Sequence, residues 1–227
     1  MRNKEKTIAI IVAAGSGERM DGENKMFTLL RGKPVLAWVV DTFQMCTLID
    51  KIIIVLAEKD LESGKELAKG LGWSKVKDIC IGGEERQDSV AAGLAKIKNY
   101  HWVVIHDGAR PLITESMIQN GLEAARESGA AVVAVPITDT IKLVDDNGFV
   151  MGTPPRRSLW AVQTPQVFRF DIINEAHQKA QAMATDDASL VERLGYKVKL
   201  YMGSYNNIKI TTPSDLALAE ILLGEVD

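Results

Sequence analysis

The sequence has few of the residues that build covalent or metal-bound frameworks. Two cysteines, Cys46 and Cys80, and three histidines occur among 227 residues. Two isolated cysteines exclude a disulfide framework and a cysteine-type zinc site, and so few histidines argue against a histidine-rich metal site. We therefore expect both thiols to be reduced and to lie near a core.

The sequence also lacks a strong net charge and a long apolar run. The formal net charge is −3, so no global field favours nucleic acid or an anionic membrane. No run approaches the roughly 18 apolar residues of a membrane helix. The basic N-terminus precedes only a short apolar stretch, Glu5 interrupts the basic part, and a glycine loop follows at once, so a strand is expected there rather than a signal peptide. We expect a cytoplasmic protein.

Apolar runs that alternate with helix-like stretches make up most of the chain. The runs Lys51–Ala57, Trp102–His106 and Ala130–Pro136 are apolar on both faces. Such strands, separated by helices, are typical of a parallel sheet covered on both sides. The sequence predicts one α/β domain over residues 1–227, with no internal repeat.

The pattern changes after Pro136. Residues 137–164 carry short β-like pieces, and Asp145-Asp146-Asn147-Gly148 is a turn signal. We expect these residues to leave the sheet as a β-arm. Regular structure is predicted to resume with a helix over 169–183.

Glycines and isolated charges collect where the predicted parallel strands end. These segments are residues 15–25, 82–89, 106–110 and 138–142. Ligands of open parallel sheets bind at the carboxyl ends of the strands, so a single crevice is expected there.

The loop after the first strand predicts a phosphate cradle. Gly15 and Gly17 allow close backbone approach to an anion, and Arg19 and Lys25 supply positive charge. The loop does not fit the dinucleotide pattern, because Met20 stands at the third glycine position, nor the P-loop pattern, because Glu23-Asn24 replace its Lys-Ser/Thr. A tight turn with solvated charges is the alternative interpretation.

The other strand-end segments allow two interpretations each. Gly82 to Ser89 is either a base-binding turn or a simple helix start, with acids favoured by the helix dipole. Asp107 could hold Mg²⁺ or orient a substrate hydroxyl, and His106 is expected to orient the turn rather than transfer protons. Thr185-Asp186-Asp187 is most simply a helix N-cap.

Seven motifs in fixed order resemble one enzyme family. They are A-A-G-x-G-x-R-M, G-G-x-x-R-x-D-S-V, H-D-G-A-R-P, D-T-I-K, L-W-x-x-Q-T-P-Q, T-D-D-A and N-I-K-I-T-T-P-x-D-L, from Ala13 to Leu216. The set is similar to that of the 2-C-methyl-D-erythritol 4-phosphate cytidylyltransferases of non-mevalonate isoprenoid synthesis. The resemblance implies a Rossmann-like, three-layer nucleotidyltransferase fold with a mostly parallel sheet, and a β-arm that reaches across a homodimer.

The resemblance also implies roles for individual residues. Arg19 and Lys25 would be catalytic, stabilising charge around the α-phosphate. The implied nucleotide-binding residues are Ala13, Ala14, Gly15, Gly17, Gly83, Glu84, Ser89 and Asp107. The implied residues for the alditol phosphate are Asp107, Arg110, Thr140, Arg156, Thr185 and Lys209, with Arg156 on the arm and able to serve the partner subunit's site.

The implied reaction is cytidylyl transfer from CTP to 2-C-methyl-D-erythritol 4-phosphate, with release of pyrophosphate. A divalent cation, Mg²⁺ or another, would be held by the CTP phosphates, with or without a protein carboxylate as a further ligand. The alternatives are a cytidylyltransferase for ribitol 5-phosphate or another alditol phosphate, and a nucleotide-binding regulatory module without catalysis; an NAD-dependent dehydrogenase is opposed by Met20. One departure from the family pattern is Asn24-Lys25-Met26-Phe27, where Pro-Lys-Gln is usual before the aromatic residue.

Overall fold

A computed structural model describes residues 5–15 and 25–224. The strands in these residues are β1 (Thr7–Ala13), β2 (Leu29–Leu30), β3 (Lys33–Pro34), β4 (Lys51–Leu56), β5 (Val76–Ile81), β6 (Trp102–Asp107), β7 (Ala130–Pro136), β8 (Leu143–Val144), β9 (Val150–Gly152), β10 (Trp160–Arg169) and β11 (Lys199–Met202). The helices are α1 (Val35–Met45), α2 (Leu61–Gly70), α3 (Arg86–Leu94), α4 (Glu115–Ser128), α5 (Phe170–Gln178), α6 (Asp187–Arg193) and α7 (Pro213–Gly224).

Seven of these strands form one central sheet in the order β11-β7-β10-β6-β1-β4-β5. β1 pairs in parallel with β4 and β6, β4 with β5, and β7 with β11. β10 is antiparallel to both of its neighbours, β6 and β7. The prediction of a mostly parallel central sheet is confirmed.

Helices cover both faces of the sheet because its inner strands are apolar on both sides. Ala9 and Ile11 face a core shared with α1 and α4, whereas Ile8 and Ile10 face a core shared with α3, α5 and α6. This alternation follows from the two-residue repeat of a strand. The result is the expected three-layer α/β arrangement.

β10 corrects two predicted boundaries. The arm was expected to run to Thr164 and a helix to begin at Arg169, but residues 160–169 are one strand of the central sheet. Val167 and Phe168 are fully buried on opposite faces, which a ten-residue strand achieves and an excursion does not. The helix that follows begins at Phe170 and ends at Gln178 instead of residue 183.

The segment between β7 and β10 carries a two-stranded sheet of β8 and β9, which we call the arm hairpin. Its apolar side chains lie on the surface: Phe149 is 71% exposed and Met151 is 73% exposed. Within the described ranges, none of the helices has the length and apolar character needed to cross a membrane.

Candidate active site

The carboxyl ends of β1, β5 and β6 surround a cleft, which we call the first cleft. Neighbouring parallel strands end at the same edge of the sheet, so residues distant in sequence meet there. Lys25 faces Gly15 across this cleft, with its ammonium 3.9 Å from the position that a Cβ on Gly15 would take. The lining residues are Val12, Ala13, Ala14, Gly15, Lys25, Met26, Gly83, Glu84, Glu85, Arg86, Ser89, Asp107, Ala109 and Lys209.

The first cleft brings together most residues predicted to bind the nucleotide. Ala13, Ala14, Gly15, Gly83, Glu84, Ser89 and Asp107 all line it, as does the predicted catalytic Lys25. Gly17 and Arg19 lie outside the described residues. The geometry therefore places the predicted base-binding turn beside Gly15 and Lys25, the two described ends of the predicted phosphate loop.

The turn from β5 into α3 is shaped by reciprocal capping. The Glu85 side chain accepts a hydrogen bond from the Asp88 backbone, and the Asp88 carboxylate accepts one from the Glu85 backbone at 3.3 Å. These two acids therefore satisfy the first turn of α3, as the helix-start interpretation requires. Ser89, 2% exposed, stands on the same turn at the wall of the first cleft.

A second cleft opens beside the first, on the side of β10 and α6. It holds four of the residues predicted for the alditol phosphate: Asp107, Arg110, Thr185 and Lys209. The two clefts share Arg86, Asp107 and Lys209, so these side chains stand at their junction. The remaining lining residues of the second cleft are Val162, Gln163, Thr164, Gln166, Asp186, Ser189 and Glu192.

Asp107 is the centre of the ion cluster at this junction. Its Oδ1 accepts a hydrogen bond from Arg86 Nε at 3.0 Å, and its Oδ2 lies 2.8 Å from Lys209 Nζ and 3.9 Å from Arg110 Nε. Burial opposes ionisation of the carboxyl, but the positive charges of Arg86 and Lys209 outweigh it and hold the pKa of Asp107 far below its ordinary value. Asp107 is therefore ionised, and positive charge prevails around it.

A family model described as 2-C-methyl-D-erythritol 4-phosphate cytidylyltransferase (IspD) matches residues 7–225. The chain belongs to this family.

Relatives in the family cover nearly all of the chain. It is 53% identical over 219 residues to the 2-C-methyl-D-erythritol 4-phosphate cytidylyltransferase of Dehalococcoides mccartyi strain 195, covering 96% of each chain. It is 49% identical to the enzyme of that name from Halalkalibacterium halodurans, over 95% of this chain and 96% of that one.

Solved structures of cytidylyltransferases are similar to this chain over nearly its whole length. The 4-diphosphocytidyl-2C-methyl-D-erythritol synthase of Anaerococcus prevotii is 31% identical with a TM-score of 0.87, over 97% of this chain and 96% of that one. The 2-C-methyl-D-erythritol 4-phosphate cytidylyltransferase of Thermus thermophilus is 34% identical with a TM-score of 0.77, over 94% and 97% of the two chains. The chain thus has the fold of the cytidylyltransferases.

Two predicted substrate residues of this cytidylyltransferase stand apart from the clefts. Thr140 and Arg156 lie beside the arm hairpin, where Arg156 donates a hydrogen bond to Thr140 Oγ1 at 2.9 Å. Both are exposed, and neither lines the first or the second cleft. Within one chain the structure does not bring them to the other site residues.

Three residues that the structure connects to the ion cluster around Asp107 were not predicted from the sequence. Arg86 was interpreted as part of a helix start, Asp187 as part of an N-cap, and His177 was not singled out. Asp186 is indeed the N-cap, accepting from the Ser189 backbone at 3.0 Å, but Asp187 is 1% exposed and pairs with Arg86 at 2.7 Å. An acid directly after a capping residue, followed by an apolar helix face, was the available signal.

The described residues do not build a metal site of their own. No group of three or more His, Cys, Asp or Glu side chains among residues 5–15 and 25–224 is arranged to hold a metal ion. Asp107, the buried carboxylate at the junction, has both oxygens engaged by cations. Among these residues, a Mg²⁺ ion would therefore need ligands from outside the described side chains as well.

Proposed function

We propose that this cytidylyltransferase binds CTP in the first cleft and 2-C-methyl-D-erythritol 4-phosphate in the second. A phosphate monoester oxygen of the methylerythritol phosphate attacks the α-phosphorus of CTP in line. The bond from the α-phosphorus to the bridging oxygen breaks, and pyrophosphate leaves with that electron pair. The organic product is the cytidine diphosphate ester of methylerythritol.

The observation that carries this proposal is the ion cluster shared by the two clefts. Two polyanions must approach each other, so the protein has to neutralise and position them. Arg86, Arg110 and Lys209 surround one ionised carboxylate, Asp107, where the clefts meet. Charge that develops on the transferred phosphoryl group would be stabilised there without reorganisation.

The chemistry needs no general base. A phosphate monoester has its second pKa near 6, so its oxygen is already anionic at neutral pH. His106 is fully buried, bonded to Arg110 O and Thr164 Oγ1, and burial lowers its pKa to about 4. It is neutral and has no access to substrate.

The roles of the remaining residues follow their positions. Lys25 faces Gly15 across the first cleft and would stabilise the α-phosphate together with Arg19, whose role is proposed from the sequence. Arg110, Thr185 and Lys209 would bind the alditol phosphate, and Asp107 would accept a hydrogen bond from its hydroxyl. In this scheme the CTP phosphates would hold a divalent cation, which would offset part of their negative charge.

We further propose a homodimer in which the arm serves the partner's site. The apolar side chains of the arm hairpin are exposed in one chain, so a partner surface would bury them. Thr140 and Arg156 would then reach the second cleft of the other subunit.

A pyrophosphate-release assay tests the proposal. The enzyme is incubated with CTP and Mg²⁺, and with either 2-C-methyl-D-erythritol 4-phosphate or ribitol 5-phosphate; a reaction without acceptor is the control. We expect pyrophosphate with the methylerythritol phosphate. Release with ribitol 5-phosphate alone would overturn the substrate assignment, and no release with either would favour a regulatory module.

A further inference from the structure

A chain of buried charges runs from the junction of the two clefts into the interior. We call it the buried ion chain and define it by His177, Asp187, Arg86 and Asp107. His177 Nε2 lies 3.0 Å from Asp187 Oδ1, Arg86 Nη1 donates to Asp187 Oδ2 at 2.7 Å, and Arg86 Nε donates to Asp107 Oδ1 at 3.0 Å. The Asp107 end of this buried ion chain faces both clefts, whereas the His177 end faces neither.

Asp187 and His177 have no access to substrate. Their side chains are 1% and 5% exposed, and neither residue lines the first or the second cleft. Burying a carboxylate is strongly unfavourable unless partners compensate its charge. Here α5 supplies an imidazole donor and α3 supplies a guanidinium, so three helices converge on one charge.

The guanidinium of Arg86 is fixed by two carboxylates on different nitrogens. A planar fork held at both Nε and Nη1 has little rotational freedom left. Arg86 donates a hydrogen bond to Asp107 Oδ1. The other carboxylate oxygen of Asp107, Oδ2, therefore pairs with Lys209 Nζ at 2.8 Å. The direction of the Asp107 carboxylate at the junction therefore depends on where Asp187 holds Arg86.

We infer that Asp187 is a positioning residue for the transfer reaction, acting through Arg86 to set the Asp107 carboxylate and its Lys209 partner at the junction of the clefts. The inference rests on the proposed function for the substrates that meet there. Three cations, Arg86, Arg110 and Lys209, face the two carboxylates of Asp107 and Asp187, so these five side chains together carry one positive charge in excess. Without Asp187, Arg86 would have a single anionic partner and could turn toward either cleft.

A set of variants tests the inference by steady-state kinetics with both substrates varied. Asp187→Asn keeps the shape of the side chain but removes its charge. We expect kcat/KM for the alditol phosphate to fall about 10- to 100-fold, because a loss of this size is expected when a reacting group is misplaced. Arg86→Lys keeps the charge but offers one nitrogen to two carboxylates, so we expect a loss of the same order. Glu175→Gln, on α5 but bonded to Lys179 and Tyr196, is the matched control and should be unchanged.

The double variant separates positioning from a merely structural role. If Asp187 acts through Arg86, Asp187→Asn lowers kcat/KM no further in an Arg86→Met background. Thermal midpoints and circular dichroism confirm folding at the assay temperature. If Asp187→Asn does not fold, His177→Ala, which leaves both carboxylates and the guanidinium in place, should give a smaller loss in kcat/KM of the same kind.

Three results would overturn the inference. They are unchanged kcat/KM in folded Asp187→Asn, full activity in Arg86→Lys, and additive losses in the double variant. A wild-type enzyme that releases no pyrophosphate would refute the proposed function and this inference together, and the wild-type reaction alone identifies that case.

Discussion

The imidazole of His106 links the strand end at Asp107 to the turn that carries Arg110. A carbonyl oxygen can only accept, so Nε2 carries the proton in its 3.1 Å hydrogen bond to Arg110 O, and Nδ1 accepts from the Thr164 hydroxyl at 3.0 Å. The Thr164 oxygen in turn accepts from the Asp107 backbone at 3.0 Å. The neutral ring thus fixes the backbone of the residue at the junction of the clefts.

This environment predicts a pH dependence of stability. Burial lowers the pKa of His106 from 6.5 to about 4. Between these values the unfolded chain binds a proton that the folded chain does not, so stability is complete above about pH 6.5 and falls as the pH is lowered. As the pH falls from about 7 to about 5, protonation of His106 in the unfolded chain should lower the free energy of unfolding by about 2 kcal/mol.

Urea unfolding of the wild type and of His106→Gln measures this effect. The variant keeps a side-chain donor but has no titration, so its free energy of unfolding should depend less on pH over the same interval. Asp107, whose pKa is held below its ordinary 3.8, adds its own loss only at lower pH. Parallel pH curves for the two proteins would show the assignment to be wrong.

Residues at strand ends were predictable, and the buried ion chain was not. The run of apolar residues before Asp107 locates a strand end, and parallel strands bring such ends together whatever their separation in sequence. Arg86 and Asp187 are 101 positions apart, and each has a sufficient local interpretation as a helix start. Local patterns carry no information on which distant charge a buried acid meets.

At the scale of elements, the β5–α3 connection depends on close packing at Gly82. A Cβ there would stand 2.5 Å from Ser89 Oγ and 2.6 Å from the Ala14 Cβ. Both neighbours belong to the wall of the first cleft. The glycine therefore sets how closely the loop after β1 approaches the start of α3.

We expect Gly82→Ala to raise the KM for CTP about tenfold or more, because the added methyl group displaces the walls of the first cleft, where we propose that CTP binds. We also expect a loss of about 1–3 kcal/mol in the free energy of unfolding. Gly70→Ala is the control, because its added Cβ at the end of α2 has no described atom within 4 Å beyond its chain neighbours and its own helix backbone. It should leave the KM for CTP unchanged. Equal KM values for CTP in the two variants would contradict this account of Gly82.

The elements predicted least well were those around β10. The first residues of β10 follow the arm and its last residue precedes α5. From the sequence, its first half was therefore assigned to the arm and Arg169 to the following helix. The antiparallel pairing of β10 with both β6 and β7 explains its length, because each half has a partner in the sheet. Val167 and Phe168 are buried on opposite faces of the sheet, but two neighbouring apolar residues are too short a pattern to distinguish a strand from a helix in the sequence.

At the scale of the whole molecule, the residues predicted to bind the alditol phosphate do not all lie together within one chain. The two clefts contain Lys25, Arg110, Thr185 and Lys209, whereas Thr140 and Arg156 lie beside the exposed arm hairpin. In a two-fold dimer each arm can supply the site of the other subunit. A complete site would then combine Lys209 of one subunit with Arg156 of its partner.

This arrangement predicts complementation between two impaired variants. Lys209→Met and Arg156→Ala should each lose most of the activity, since each lacks a cation that we propose binds the alditol phosphate. Co-expressed in equal amounts, they form mixed dimers in which one site lacks both cations and the other has both. If subunits pair at random, half of the dimers are mixed and each has one intact site, so roughly a quarter of wild-type activity should return.

Differently tagged subunits allow the mixed dimers to be isolated, and their pyrophosphate release is compared with that of each parent. Lys199→Met is the matched control, because Lys199 pairs with Glu127 on an exposed surface and lines neither cleft, so it should retain activity alone. If Arg156 acted within its own chain, every site in the mixture would lack one cation and no activity would return. Mixed dimers that form but remain as inactive as their parents would therefore refute the exchange of arms between subunits.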